Sequence, residues 1–258
     1  MPEVQLGSEK RAVSNIFCVG KNYADHVREM KAIFAGTEEN EPVVFSKPTS
    51  ALVFNGGEIS IPHFQGKPIA KELHHEVELV LLIGKNAENL SPEEAQTAVA
   101  GYGIGLDMTL RDKQTAAKKA GSPWFISKGF RSSAAVSPFI HSNNLEAAAS
   151  LSLTLEKNGV RVQRGHTSQM IFNTRFIISY LSHLFGLQAG DLIYTGTPSG
   201  IGPVESGDRL VATLAESNMV LAKETLSSEM RNTESGNQEA PPQFLDQSIL
   251  ATLEIRIH

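Results

Sequence analysis

At 258 residues the chain can bury one large core and still carry an appendage. Its 41% hydrophobic and 20% charged residues are ordinary for a globular protein, and a net charge of −5 with no basic stripe argues against a nucleic-acid partner. No apolar run can span a membrane, no signal-peptide pattern opens at Met1, and the lone Cys18 excludes an intrachain disulfide, so a cytoplasmic protein is expected.

In chain order, a polar arm leads to Asn15-Ile16-Phe17-Cys18-Val19-Gly20, a short apolar strand in which Cys18 is a small buried side chain. Helix formers from Lys21 to Met30, with Asn22 as N-cap, predict a lid-like helix near 22–35. His26 and Glu29 fall three apart on it, where a carboxylate can orient an imidazole and raise its basicity; an ordinary exposed surface pair has the same spacing. Pro42 to Pro48 reads as a buried strand that includes Lys47.

The stretch from His75 to Gly84 has the most to explain. Its aliphatic residues read as a strand closed by Gly84-Lys85-Asn86, on which Glu76 and Glu78 share a face with Val80 and Leu82. Val77, Leu79, Leu81 and Ile83 line the other face, so both faces are apolar and two carboxylates sit together at one end. Like charges at that spacing raise each other's cost of ionisation, which a hard divalent cation with oxygen ligands offsets most simply. A frayed, solvated strand end is the alternative.

Ser91-Pro92-Glu93-Glu94 has the form of a capping box and predicts a helix to about Ala100. Gly101-Tyr102-Gly103-Ile104-Gly105 lacks dinucleotide-loop spacing; it enters a strand ending at Asp107, before a helix from about Thr109 to Lys119 that Gly121 stops. Arg111 and Gln114 are i, i+3 partners on that helix. Lys128 ends the apolar run from Pro123, where burial calls for a carboxylate or anion nearby. Leu151 to Gln163 alternates around Asn158-Gly159 as a hairpin, and a helix is predicted from about Ser168 to Phe185. The loop from Thr195 to Pro203 can offer N–H groups and a hydroxyl to an anion, or be simply a tight loop. A further hairpin is expected to turn near Ser217-Asn218 and end around Leu226. Ser227 to Pro242 then reads as a polar linker and Ser248 to His258 as a candidate strand, giving a domain over 1–226 and an extension over 227–258.

These stretches carry a resemblance in register. Val19-Gly20-Lys21-Asn22-Tyr23-Ala24-Asp25-His26 with Glu29, Phe45-Ser46-Lys47-Pro48 and His74-His75-Glu76-Val77-Glu78 come first. Leu106-Asp107-Met108-Thr109-Leu110-Arg111-Asp112, Pro123-Trp124, Lys128, Thr167-Ser168-Gln169-Met170-Ile171 and Thr195 to Pro203 follow. In this order they resemble the fumarylacetoacetate hydrolase superfamily, in its small acylpyruvase-like branch, over about residues 14–225. Ser46 and Ser127 stand where that family is expected to be more apolar.

The resemblance implies an α+β, strand-rich fold of mixed, coiled sheets with flanking helices, and a homodimer. It implies Mg²⁺ or Mn²⁺ held by Glu76, Glu78 and Asp107, with a small-molecule 2-oxo acid as substrate. Arg111, Lys128 and the Gly196-Thr197 loop would surround the anionic end of that substrate, with Gln114 and Lys47 adding polar contacts. His26, oriented by Glu29, would take a proton from water, and Lys128 joins them as catalytic. The implied reaction is C–C hydrolysis of 3-acylpyruvates such as fumarylpyruvate. Oxaloacetate decarboxylation or keto–enol tautomerisation would use the same metal and enolate without the water. The third reading is a non-catalytic dimer that binds a metabolite; loss of a ligand or of the dyad would have favoured it, and neither is missing.

Overall fold

The computed structural model describes residues 1–23, 41–142, 150–220 and 243–258, so His26, Glu29 and most of the expected lid helix lie outside the described residues. Two sheets share one core. The larger runs, edge to edge, through Val43–Lys47, Ile16–Gly20, Leu192–Tyr194, Val77–Ile83, Val99–Asp107, Ala134–Val136 and Leu52–Phe54, with Ile140–His141 also on Val99–Asp107. The second orders Val160–His166, Leu151–Lys157, Arg209–Val220, Gln243–Ile257 and Glu58–Ile59. A three-stranded sheet of Thr109–Leu110, Leu73–His75 and Gly202–Val204 closes one corner. Parallel pairs, such as Leu192–Tyr194 on Ile16–Gly20, stand among antiparallel ones, giving the expected strand-rich mixed fold. Among the described residues no helix is long and apolar enough to cross a membrane.

Period-two alternation decides what each strand buries. Leu79, Leu81 and Ile83 join Leu153, Leu155, Leu214, Leu253 and Ile255 between the sheets. Val80 and Leu82 point the other way, onto Val4, Leu6, Phe139 and Tyr194. Each such side chain contributes about 1.5–3 kcal/mol of burial. The glycine row belongs to this packing and not to phosphate binding. A Cβ on Gly101, Gly103 or Gly105 would stand 2.4 Å from the Ile140 carbonyl, 2.8 Å from Ser137 Oγ and 2.8 Å from the Ala135 carbonyl. Only glycine lets the overlying segment approach so closely.

The structure corrects four local expectations. The capping box forms, with the Ser91 N–H on Glu94 Oε2 at 2.9 Å and the Glu94 N–H on Ser91 Oγ at 3.3 Å, but only a 3₁₀ turn, Ala95–Ala98, follows. Thr97 Oγ1 donates back to the Glu94 carbonyl, and from Val99 the chain belongs to the sheet. The helix expected from Ser168 begins at Thr174, where Asn173 Oδ1 accepts from the Phe176 N–H; Thr167–Gln169 is a separate 3₁₀ turn. Asn22 is not free to cap a helix, since its carboxamide is bound to Phe172 and Thr195. The Arg209–Val220 strand runs straight through Ser217-Asn218, because Gln243–Ile257 pairs along its whole length, from Arg209 with Arg256 to Val220 with Gln243.

Gln243–Ile257 is thus an interior strand, parallel to Glu58–Ile59 on its other side. It starts earlier than the alternation from Ser248 predicted. Leu253 and Ile255 are fully buried, yet Ile249 is 71% exposed. A register shift opposite Leu214 and Ala215 explains this: the extra residue flips the strand's phase, and Leu250 turns toward the core instead.

Candidate active site

Two adjacent segments change sheets at the same point, and the acidic side chains stand at that crossing. Leu73–His75 belongs to the three-stranded sheet and Val77–Ile83 to the large one, so Glu76 is the joint. The neighbouring segment does the same, as Val99–Asp107 pairs with Val77–Ile83 and Thr109–Leu110 with Leu73–His75. The Asp107 N–H donates to the Glu76 carbonyl at 2.8 Å and ties the joints together. Glu76, Glu78 and Asp107 are all buried, each with an oxygen within 4.8 Å of the others.

Among the described residues three cations meet them. Lys128, the last residue of the short Phe125–Lys128 helix, donates to Asp107 Oδ2 at 2.6 Å, Thr109 Oγ1 at 2.7 Å and Glu76 Oε2 at 2.8 Å. Lys47, the last residue of its strand, lies 2.7 Å from Asp107 Oδ1 and donates to Ser133 Oγ and the Lys128 carbonyl. Arg111 opens the Arg111–Ala120 helix and pairs with Glu76 Oε1, while its other arm donates to buried Gln114. Burial works against the Lys128 ammonium, but Asp107 and Glu76 outweigh it and hold its pKa above the ordinary lysine value. Glu78 differs from the other two acids. Among the described residues it has no ion pair and accepts only the Gly196 N–H, at 2.7 Å. Burial, then Asp107 and Glu76, push its pKa well above the carboxylate range, with Lys128 and the Gly196 hydrogen bond opposing.

The residues singled out in the sequence therefore converge: Glu76, Glu78, Asp107, Lys128, Lys47, Arg111 and Gln114 form one contiguous network. Gly196 joins it from inside, its N–H committed to Glu78 and not turned to an external anion. Thr197 is 3% exposed and its Oγ1 accepts from Gln163 Nε2 at 2.9 Å. Three contributors were not anticipated. Thr109 links Lys128 to Glu76, and Ser133 links Lys47 to the Lys128 carbonyl. Gln163 accepts from the Val77 N–H and His75 Nδ1 while donating to the Thr197 loop, and burial lowers the His75 pKa, so that imidazole is neutral. The signal for Gln163 was a polar residue at an inward position of the second hairpin strand.

A model of the fumarylacetoacetate (FAA) hydrolase C-terminal family matches residues 15–233. The chain belongs to the fumarylacetoacetate hydrolase family. Within it, the mitochondrial oxaloacetate tautomerase FAHD1 of Mus musculus is 45% identical over 198 residues, covering 77% of this chain and 86% of its own. Oxaloacetate tautomerase YcgM of Escherichia coli (strain K12) is 42% identical over 202 residues, covering 78% and 88%. The crystal structure of fumarylpyruvate hydrolase from Pseudomonas aeruginosa in complex with Mn²⁺ and pyruvate superposes with a TM-score of 0.78 at 30% identity, over 99% of this chain and 95% of that one. That match takes in the C-terminal strand, which lies beyond residue 233 where the family model ends.

The family's metal can be tested against the geometry. Three hard oxygen donors converge in a buried site, as Mg²⁺ or Mn²⁺ requires. Lys47, Lys128 and Arg111 already offset Asp107 and Glu76, leaving Glu78 as the acid whose charge is least compensated. A buried carboxylate in that position is costly, and a divalent cation at the shared focus would remove the cost. The residues fit the ion.

Proposed function

We propose that the protein is a metal-dependent enzyme of 2-oxo acid chemistry whose main reaction is the keto–enol tautomerisation of oxaloacetate. The observation that carries this reading is the meeting of three buried carboxylates with a lysine held protonated at the same point. When bound, Mg²⁺ or Mn²⁺ at Glu76, Glu78 and Asp107 would supply Lewis acidity to the substrate's carboxylate and 2-oxo oxygens. Among the described residues three acids face three cations, Lys47, Lys128 and Arg111. A divalent cation and a dianionic substrate would enter it as a neutral pair, which favours a dicarboxylate.

The residues then divide the work. Lys128 presents a fixed ammonium to the oxygen on which negative charge develops as C3 loses its proton. Arg111, one arm held by Gln114, holds the substrate carboxylate, and Lys47 pairs with Asp107 and orients it. Gly196 steadies Glu78, and Gln163 steadies the loop that carries Gly196. His26, the base that the family resemblance implies, would take the C3 proton and return it to the enolate oxygen.

A second reading has its own support. The fumarylpyruvate hydrolase match extends across the C-terminal strand. In that reaction His26 would take its proton from water, hydroxide would add to the distal carbonyl, and the C–C bond would break with its electron pair passing to C3 of pyruvate. Measuring kcat/KM for oxaloacetate by enol absorbance and for fumarylpyruvate by loss of its chromophore, on one preparation, decides between them. The tautomerase reading expects the oxaloacetate value to be far higher; the reverse order makes the protein a hydrolase.

A further inference from the structure

One buried carboxamide joins the acidic strand to the loop beside it. Gln163 is 2% exposed on Val160–His166 and uses its whole hydrogen-bonding capacity. Its Oε1 accepts from the Val77 N–H at 3.0 Å and meets His75 Nδ1 at 2.9 Å. Its Nε2 donates to Thr197 Oγ1 at 2.9 Å and to the Pro198 carbonyl at 3.0 Å. A backbone N–H can only donate and a carbonyl can only accept. The carboxamide is therefore fixed in this orientation, and His75 donates to it from Nδ1.

The four bonds bracket the acids. His75 and Val77 flank Glu76, and Val77 separates Glu76 from Glu78. Here the chain leaves one sheet for another, and a buried N–H at such a joint is costly unless a side chain meets it. On the loop side, Gly196 holds Glu78 Oε2 with its N–H and lies between two tethers. Upstream, Thr195 is tied to the Leu79 carbonyl, by its N–H at 3.1 Å and its Oγ1 at 2.9 Å. Downstream, Thr197 and Pro198 are tied by Gln163. The loop also rests on the Gln163 strand itself. A Cβ at Gly165 would stand 2.5 Å from Pro198 Cβ, so a larger residue would lift the loop off its seat. The backbone around Glu76 and the hydrogen-bond donor to Glu78 thus depend on one side chain whose own four partners include no acid.

We propose that Gln163 is a positioning residue for the metal site: it sets the spacing of Glu76 and Glu78, and through it the affinity for the divalent cation, without being a ligand. This rests on the divalent-cation reading of the site and adds the residue that holds two of its acids in place.

Gln163→Met keeps the length of the side chain and loses all four bonds. Calorimetric titration of metal-free protein with Mn²⁺ should show affinity weakened by about tenfold to a hundredfold, the scale on which the partners of metal ligands act. Thr197→Val removes one of the four bonds and should weaken Mn²⁺ by roughly twofold to tenfold, the scale of one neutral hydrogen bond. It carries the test if Gln163→Met does not fold. Leu253→Ala loses stability in the same core with the clamp intact, and should bind Mn²⁺ as wild type does. Amide hydrogen exchange over residues 195–197 gives a second readout: Mn²⁺ should slow it in wild type and slow it less in Gln163→Met. Unchanged Mn²⁺ affinity in the Gln163 and Thr197 variants overturns this proposal alone. A loss in Leu253→Ala equal to that in Gln163→Met also overturns it, because the effect would then be one of general stability. Wild-type protein that binds no Mn²⁺ overturns the divalent-cation reading and this proposal with it.

Discussion

Replacing Glu78 by Gln should shift stability in opposite directions with and without metal. Glu78 is 2% exposed, has no ion pair among the described residues, and accepts one hydrogen bond, from Gly196. Gln has the same shape and can still accept that bond, so the change removes a poorly compensated buried charge and little else. In EDTA the variant should be more stable by about 1–3 kcal/mol, the scale on which relieving such charges stabilises folds. At roughly 2–4 °C per kcal/mol for a chain of this size, Tm should rise by about 2–12 °C. Wild-type protein at a hundredfold excess of metal over Kd should gain about 2.7 kcal/mol, and the variant should lose most of that gain. Turnover should fall by roughly a thousandfold, since several kcal/mol of charge stabilisation depend on the bound ion. The pH dependence has a definite sign. The folded-state pKa of Glu78 is raised, so its contribution is present below the ordinary carboxylate pKa and lost as pH rises through the folded value. Metal-free wild-type protein should therefore lose stability over that window, and Glu78→Gln should lose less. Differential scanning fluorimetry with and without EDTA reads all of this. A variant less stable than wild type in EDTA, with an undiminished metal gain, would refute the reasoning.

Two further outcomes are expected. Leu253→Ala, in the interior C-terminal strand, should cost about 2–5 kcal/mol, and an unchanged Tm would mean that Gln243–Ile257 contributes nothing to the core. His26→Ala should reduce oxaloacetate tautomerisation by roughly a hundredfold while leaving oxalate binding nearly intact, and wild-type turnover in that variant would remove His26 as the base.

Much of the site was legible because its chemistry is concentrated in unusual places. Two glutamates at the end of an otherwise aliphatic strand, and lysines closing apolar runs, are expensive to bury unless they meet, and they do meet. The sheet change at Glu76 and Met108 was not legible, since it depends on which strand finds which partner. It also explains why Asp107 reaches the acids from a different segment. Gln163 and Ser133 act through contacts 86 residues away in sequence, which no local pattern encodes. The helix errors have a common cause. At Ser91 and at His166 a capping box closes a single 3₁₀ turn, and the residues that follow belong to the sheet in one case and to a second cap at Asn173 in the other. The phase flip at Leu250 was hidden for the same reason as any bulge: alternation in one strand does not reveal the register of the other.

The central claim is that these buried acids work through a divalent cation. The most direct test is the rate of oxaloacetate enol–keto interconversion by protein verified metal-free by elemental analysis, before and after adding Mg²⁺ or Mn²⁺. The stripped protein should run no faster than buffer and recover fully on addition of the metal. An undiminished rate in the metal-free protein would contradict it.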